Sequence, residues 1–564
     1  MVHKGTKFDW TLAEFDPAVV AEIVAAAGVS EVFARVMAAR GVDSAGAAVR
    51  YLGAAVDPLP DARLLPDADA VVERVGRAIG SRELICVHGH DDADGVTATT
   101  VMTEALDQLG ASLATYIPDR KTEGHGLSKA EIDRLRAAGV GLIITVDSCV
   151  SDREFIAYAR ELGMDTIVTD HHEIPPELPP AVAIVNPKLP DSRFPYRYMA
   201  GVGVALRVAD LLLGELRSEF GPARECAPWC GTRWRDEALA LAAVGSIADR
   251  VPLTEDNRSI VTQGLAALPA TERVGLRVAL EERHMWGRAV SPEEVRESLG
   301  PLLGRSPGDE PGTQRAYGLL TARDPDEARE VATALFRRQE SWRDTATTAW
   351  KRVRGQLDRE SDSASQPVIV LETEVPVGVA GYVTSRLAEE TGRPTIVVAP
   401  RDSEMMAEAR GPAGFNFVDA FSSMRELFIG YGGHPRAAGF SIEPERLAEF
   451  KERMSGYAVT NPPAPPPRRV DSELRIEDSA SGLGAELERM GPFGQGNGRA
   501  VFLARGVTSD TLAVAEERGV RFGTPMRIGE RATDVVFKLR DSDGVPLVSV
   551  VDTFAAATSH ARGG

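Results

Sequence analysis

Apolar residues recur at helical spacing in Val19-Val20-Ala21-Glu22-Ile23-Val24 and in Val32-Phe33-Ala34-Arg35-Val36-Met37, which predicts short helices over residues 1–75. From Leu84 the pattern changes. Short β-branched runs appear at Leu84-Ile85-Cys86-Val87, Ala114-Thr115-Tyr116-Ile117, Leu142-Ile143-Ile144-Thr145-Val146, Thr166-Ile167-Val168 and Val182-Ala183-Ile184-Val185. Amphipathic segments separate them, so residues 76–265 read as a parallel sheet covered on both faces. Residues 266–360 read as a helical connector with a long charged stretch from Asp324, ending in the linker-like Ser361-Asp362-Ser363-Ala364-Ser365-Gln366-Pro367. A second, smaller α/β unit over 366–460 opens with Val368-Ile369-Val370-Leu371. Pro462-Pro463-Ala464-Pro465-Pro466-Pro467 is a stiff spacer, and beyond it strand-like runs such as Asp534-Val535-Val536-Phe537-Lys538-Leu539 predict a small β-barrel over 468–564. The expected class is therefore α/β, two such domains joined by a long helix, with a C-terminal barrel.

What ends each strand of the first sheet carries the chemistry. The first run leads into His88-Gly89-His90-Asp91-Asp92-Ala93-Asp94-Gly95, the third ends at Asp147, and the fourth ends at Asp170-His171-His172. Farther on, the apolar Leu239-Ala240-Leu241-Ala242-Ala243-Val244 leads to Ile247-Ala248-Asp249. Ligands of open α/β sheets bind at the carboxyl ends of the strands, so these residues are expected to converge. Asp92, Asp94, Asp147 and Asp249 crowded together could not all stay ionised unaided. Two divalent cations would neutralise them, and a donor set of carboxylate and imidazole without thiolate suits Mn2+, Mg2+ or Zn2+. A water shared by two such ions is a hydroxide nucleophile for phosphorus. A lone Asp at a strand end is ordinarily a helix cap; it is the clustering with His88, His90, His125, His171, His172 and His434, six of the nine histidines, that turns the reading towards metal.

Composition sets the frame. The 564 residues are 43% hydrophobic and 26% charged, a soluble globular balance, with no run long enough to span a bilayer. The first residues lack an apolar signal core, and four cysteines cannot build a disulfide framework, so a cytoplasmic protein without membrane contact is expected. The formal net charge is −19. A passive coat for nucleic acid would be basic, so any polyanion must be handled through a local basic groove or bound cations.

The ordered set His90-Asp91-Asp92-Ala93-Asp94-Gly95, Thr145-Val146-Asp147, Asp170-His171-His172 and Ala248-Asp249 resembles the DHH phosphoesterase superfamily. Further segments narrow the resemblance to its RecJ family of single-stranded-DNA-specific 5′→3′ exonucleases. These are Tyr116-Ile117-Pro118-Asp119-Arg120, Glu123-Gly124-His125-Gly126-Leu127-Ser128, Ile184-Val185-Asn186-Pro187-Lys188 and Ala200-Gly201-Val202-Gly203-Val204-Ala205. Gly432-Gly433-His434-Pro435-Arg436-Ala437-Ala438-Gly439 resembles the signature of the DHH-associated domain, and Gly491-Pro492-Phe493-Gly494-Gln495-Gly496-Asn497 the entry to an OB-fold. The resemblance implies a DHH domain, a DHH-associated domain and an OB-fold in that order. It implies that His90, Asp92, Asp94, Asp147, His171 and Asp249 hold two cations, Mn2+ before Mg2+, with Asp147 as the bridge. His172 would contact the scissile phosphate. Arg120, His125, Arg410, Gly432, Gly433 and His434 would bind the strand. The implied function is two-metal hydrolysis of single-stranded DNA in repair and recombination, with a single-strand-binding protein or helicase as partners.

Several positions depart from the family pattern. His90 stands where RecJ commonly has Asp, and Cys149 where a Gly usually follows the bridging Asp. After Gly300 the chain reads Gly300-Pro301-Leu302-Leu303-Gly304-Arg305-Ser306-Pro307-Gly308, without the family's arginine-bearing stretch. Glu408 stands where the family has Ser near the terminal phosphate, and a carboxylate there repels a 5′-phosphate. These departures keep a second enzymatic reading open, a phosphodiesterase for short oligonucleotides, RNA ends or cyclic dinucleotides. A non-catalytic scaffold in a DNA-processing complex is the third reading. Cys226 and Cys230 form a lone C-x3-C without partners, and Phe493 and Phe502 read as core residues before base-stacking ones.

Overall fold

The computed structural model describes residues 2–6, 8–53, 59–118, 123, 126–220, 233–304, 312–359, 366–401, 403–464, 466–479, 482–523, 532–542 and 544–555. The chain divides into two compact units. One comprises residues 1–305, 311–335 and 469–564; the other comprises 306–310 and 336–468.

The first unit holds a five-stranded, wholly parallel sheet of β1 (Leu84–His88), β2 (Ser112–Tyr116), β3 (Val140–Val146), β4 (Asp165–Thr169) and β5 (Ala183–Val185). The order is β2-β1-β3-β4-β5. Alternate residues of these strands point to opposite faces, so both faces need cover. Cys86, Ile143, Val168 and Ile184 share one core with Ile132 and Ile156 of the helices Lys129–Ala137 and Arg153–Glu161. Helices α1 (Ala93–Gln108) and α2 (Gly201–Phe220) touch β1, β3 and β4, and α3 (Trp234–Ala248) lies along both helices. Arg273, 0% exposed, donates to Glu104 of α1 at 2.6 Å and stands 3.5 Å from Glu237 of α3. It ties together the far ends of two helices whose near ends carry Asp94 and Asp249.

Helix α4 (Pro325–Arg359) leads into the second unit, where β6 (Ile369–Glu372), helix α5 (Val377–Thr391), β7 (Thr395–Arg401), β8 (Glu404–Arg410), β9 (Phe428–His434) and β10 (Ala437–Ile442) follow. Its sheet runs β9-β10-β8-β7-β6, antiparallel except for β6 and β7, which leaves β9 on an edge.

Back in the first unit, β11 (Ser472–Glu473), β12 (Val501–Val507), β13 (Arg521–Phe522), β14 (Thr533–Ser542) and β15 (Val545–Ala555) form a sheet of order β11-β12-β14-β15-β13. No pairing among the described residues joins β11 to β13, so the sheet is not a closed barrel. Phe493, Phe502 and Phe537 are buried in one core with Val20, Ile23, Phe33 and Met37 of the N-terminal helices. The sequence reading separated these segments, and the fold merges them. It also places strands at the very start. Val2–Lys4 and Asp9–Leu12 pair with each other and with Arg468–Val470, and Trp10 is buried with its indole N–H donating to Asp552 at 2.8 Å.

Candidate metal centre

Strand order explains why the polar strand ends meet. The chain leaves β1 towards β2 on one side and returns through β3 on the other, so the crevice of this sheet opens above the carboxyl ends of β1 and β3. Asp92 caps α1 there, accepting the Gly95 N–H at 2.9 Å. Asp94 lies in the first turn of α1, and its two oxygens accept from Gly201 N and Val202 N at 2.7 and 2.8 Å. The amino end of the 20-residue α2 thus holds a carboxylate, as the helix dipole favours. Asp147 follows β3 with φ +60°, its N–H bonded to Thr169 O at 2.9 Å.

Two clusters result, and a third group that holds Asp147 and His171 links them. His90, Asp92 and Asp147 offer donor atoms within 4.8 Å of one another, and so do Asp94, His171 and Asp249. His171 Nε2 is 3.0 Å from Asp147 Oδ1, 3.8 Å from Asp94 Oδ2 and 3.9 Å from Asp249 Oδ2. His90 Nδ1 is 3.1 Å from Asp92 Oδ2 and 3.6 Å from Asp147 Oδ2. Asp147 also groups with His171 and His172. Glycine makes the crowding possible. A Cβ on Gly201 would stand 2.5 Å from Cβ and Cγ of Asp147, and one on Gly245 would stand 3.0 Å from Asp94 Oδ1 and 2.8 Å from Val202 Cγ1.

Charge decides what the clusters can hold. Burial, then Asp147 and Asp249, hold the Asp94 carboxyl well above its ordinary range, and burial with Asp147 and Asp92 lifts Asp249 to about 6. Burial opposes a charged imidazole at His90 and His171. The facing carboxylates outweigh it, Asp147 foremost, pushing them up to about 11 and about 10. Burial would raise Asp92 as well, and His90 beside it brings it down to about 2. The side chains alone therefore balance four carboxylates with protons. Asp147 Oδ1 is buried and, despite its nearness to His171, has no donor in hydrogen-bonding geometry among the described residues. Carboxylate and imidazole donors with an unsatisfied buried oxygen are the requirements of divalent cations, and the residues fit them.

A pH dependence follows. Both imidazoles hold a proton at neutral pH, and a cation needs their neutral form, so metal uptake releases protons and its affinity rises with pH. Each proton displaced contributes roughly tenfold per pH unit. Calorimetric Mn2+ titrations between pH 6 and 8, in buffers of different ionisation enthalpy, are expected to show tightening binding with proton release. An affinity independent of pH would contradict it.

His172 is set differently. Its Nδ1 lies 2.7 Å from Asp170 Oδ1, while its side chain is 54% exposed. Asp170, buried, also accepts from the N–H of His171, His172 and Val150 at 2.7, 3.1 and 3.0 Å. Its hydrogen bond, opposed by burial, raises the His172 pKa and favours a protonated ring with Nε2–H turned away from Asp170. Cys149 takes φ +76°, the left-handed region that glycine adopts without strain. Burial holds its thiol well above the ordinary range, which makes it an inert packed side chain.

Arg410, Gly432, Gly433 and His434 belong to the second unit, on β8 and the edge strand β9, where the last three are exposed. Arg120, His125, Arg305, Cys226 and Cys230 lie outside the described residues. Gly201, Gly245 and Asp170 went without a role in the sequence reading. Their signal was adjacency to a candidate ligand or to an apolar helix, which many residues share. His88 is also buried beneath the centre, 3.0 Å from the buried Glu131.

Comparison with known proteins adds its own findings. Residues 84–228 match the DHH family, N-terminal domain, and residues 365–460 match the DHHA1 domain. The single-stranded-DNA-specific exonuclease RecJ of Bacillus subtilis (strain 168) is 33% identical over 506 residues, 87% of this chain and 61% of that protein's length. RecJ of Salmonella typhimurium is 32% identical over 476 residues, 82% of this chain and 81% of the relative. The crystal structure of RecJ from Thermus thermophilus in complex with Mn2+ superposes with a TM-score of 0.77 at 26% identity, covering 97% of this chain and 79% of that one.

Proposed function

The chain belongs to the RecJ family, and from that membership and its paired acidic centre we propose that it is a metal-dependent exonuclease that hydrolyses single-stranded DNA in the 5′→3′ direction. The observation that carries this reading is Asp147 standing in two candidate ligand groups at once, one with His90 and Asp92 and one with His171 and His172. His90, Asp92 and Asp147 would hold one cation, and Asp94, His171, Asp249 and Asp147 the other. When bound, such a pair of ions supplies an activated water and stabilises the leaving oxygen of a phosphodiester.

The chain's own residues would orient the substrate. His172, fixed by Asp170 and facing out, would donate Nε2–H to a phosphoryl oxygen as charge grows on it. Asp170→Asn, which disturbs that fixed ring, is expected to lower kcat about 10–100-fold with little change in KM; a variant changed only in KM would argue against the role. Arg120, His125, Arg410 and the Gly432-Gly433-His434 segment would hold the strand's phosphates. The acidic protein also carries a local basic groove of about 940 Å3, lined by Arg40, Arg50, Arg258, Arg469 and Arg499 with Tyr51, against Glu255, Asp256 and Asp471. It supports a path for the strand alongside the C-terminal sheet, which we read as an OB-fold. Among the described residues no helix is long and apolar enough to cross a membrane, in keeping with a cytoplasmic role in DNA repair and recombination beside a single-strand-binding protein or helicase.

The test is a Mn2+ assay on single strands labelled at either end. A 5′ label is expected to be released first, while a 3′-labelled strand shortens stepwise and blunt duplex persists. Removal from the 3′ end, or preference for RNA or dinucleotides over DNA, would overturn the reading.

A further inference from the structure

Strand β8 of the second unit presents two faces. Met405, Ala407 and Ala409 are buried in the apolar core, so Glu408 and Arg410 share the other face. The register extends that face to the sheet's edge. Arg410 lies opposite Ala437 of β10, which lies opposite His434 of β9. One row along, Glu408 lies opposite Gly439, which lies opposite Gly432. Residues directly opposite in neighbouring strands share a face. Among the described residues of this sheet, the register thus puts only the Ala437 methyl between the Arg410 and His434 positions, and glycines alone beyond Glu408 towards the edge. A Cβ on Gly432 would meet nothing within 4 Å. Helix α5 closes the other side at Gly381, whose Cβ would stand 3.1 Å from Arg410 Nη2 and 3.4 Å from Glu408 Oε2.

Within this trough the arginine is already engaged. Arg410 Nη1 donates to Glu408 Oε2 at 2.9 Å and to Ala409 O at 2.8 Å. Both side chains keep partial access to solvent, 27% and 38% exposed. The guanidinium and the carboxylate cancel, which matters for the end of a strand. A terminal phosphomonoester carries close to two negative charges at neutral pH. To reach Arg410 it must share the guanidinium with Glu408 and lie beside that carboxylate. A terminal hydroxyl meets no such opposition, and selectivity of this kind comes from the repulsive element.

Resting on the reading of Arg410 and residues 432–434 as strand contacts, we propose that Glu408 sets the chain's end preference, so that strands ending in a 5′-hydroxyl are accepted at least as well as those ending in a 5′-monophosphate.

The experiment compares two otherwise identical 3′-labelled oligonucleotides, one with a 5′-phosphate and one with a 5′-hydroxyl, on the full chain with Mn2+. The ratio of kcat/KM, phosphate over hydroxyl, is expected at or below one. Glu408→Gln, which keeps the shape and removes the charge, is expected to raise it about tenfold, the scale of one partly screened charge pair. Equilibrium anisotropy of both strands in EDTA reads the same ratio without turnover. A wild-type ratio far above one, or a ratio that Glu408→Gln leaves unmoved in both measurements, overturns the inference while hydrolysis itself stands. Strands bound with the expected ratio and shift but not cut would sink the exonuclease reading and leave the end preference intact. If neither strand is bound or cut, both fall.

Discussion

Asp147→Asn is expected to reduce Mn2+-dependent hydrolysis of single-stranded DNA by roughly 10^3-fold or more while the protein stays folded. Asp147 groups with His90 and Asp92 and stands 3.0 Å from His171 of the other cluster, so the change is expected to weaken two cation positions together. Metal stabilisation of a phosphoryl transition state is worth several kcal/mol, and each 1.36 kcal/mol is tenfold in rate. Asparagine is the informative replacement because Asp147 holds φ +60°, a conformation that Asn adopts more readily than most residues. It preserves size and backbone and removes one negative charge. End-labelled kinetics with a thermal melt of the same preparation make the measurement. Appreciable Mn2+-dependent cleavage by a folded variant would refute a shared bridging carboxylate.

Gly201→Ala is expected to damage the same centre without touching a ligand. Its methyl group would overlap Asp147, and the helix cannot retreat, because Gly201 N also donates to Asp94 Oδ2 at 2.7 Å. Relief on one side therefore breaks the hold on the other. Overpacking of this kind costs about 1–3 kcal/mol, and displaced supports of metal ligands lower affinity about 10–100-fold. Gly214 lies in the same helix with nothing within 4 Å of its would-be Cβ, so Gly214→Ala is the control and should be neutral or stabilise by up to about 1 kcal/mol. Mn2+ titration and melting temperature of the two variants separate the local clash from any general effect of losing a helical glycine. Equal Mn2+ affinity in both would contradict the assignment.

The parallel strands were legible because each is a short apolar run between turn residues. Leu84–Val87 and Leu142–Val146 fall inside β1 and β3, which extend to His88 and start at Val140. The order in which those strands lie was not, since periodicity records which face is buried and says nothing of neighbours. That order is what brings Asp92 to Asp147. The candidate ligand types were readable from strand ends and Asp147 as their bridge came only with the family resemblance, whereas the closeness of Gly201 depends on distances between remote segments. The N-terminal strands escaped because the alternation of Phe8, Trp10 and Leu12 is brief and adjoins a strongly helical stretch. Phe493 and Phe502 read as interior residues and are buried, although nothing local reveals that their companions are Phe33 and Met37.

That last association has a consequence for how the molecule is made. Phe33 must wait for Phe502 and Phe537, which leave the ribosome roughly 470–500 residues later. At about 5–20 residues per second the interval is roughly 25–100 s. Throughout it the amphipathic N-terminal helices expose their oily side, so biosynthesis of this chain should lean on a holding chaperone that the isolated parallel-sheet portion would not need.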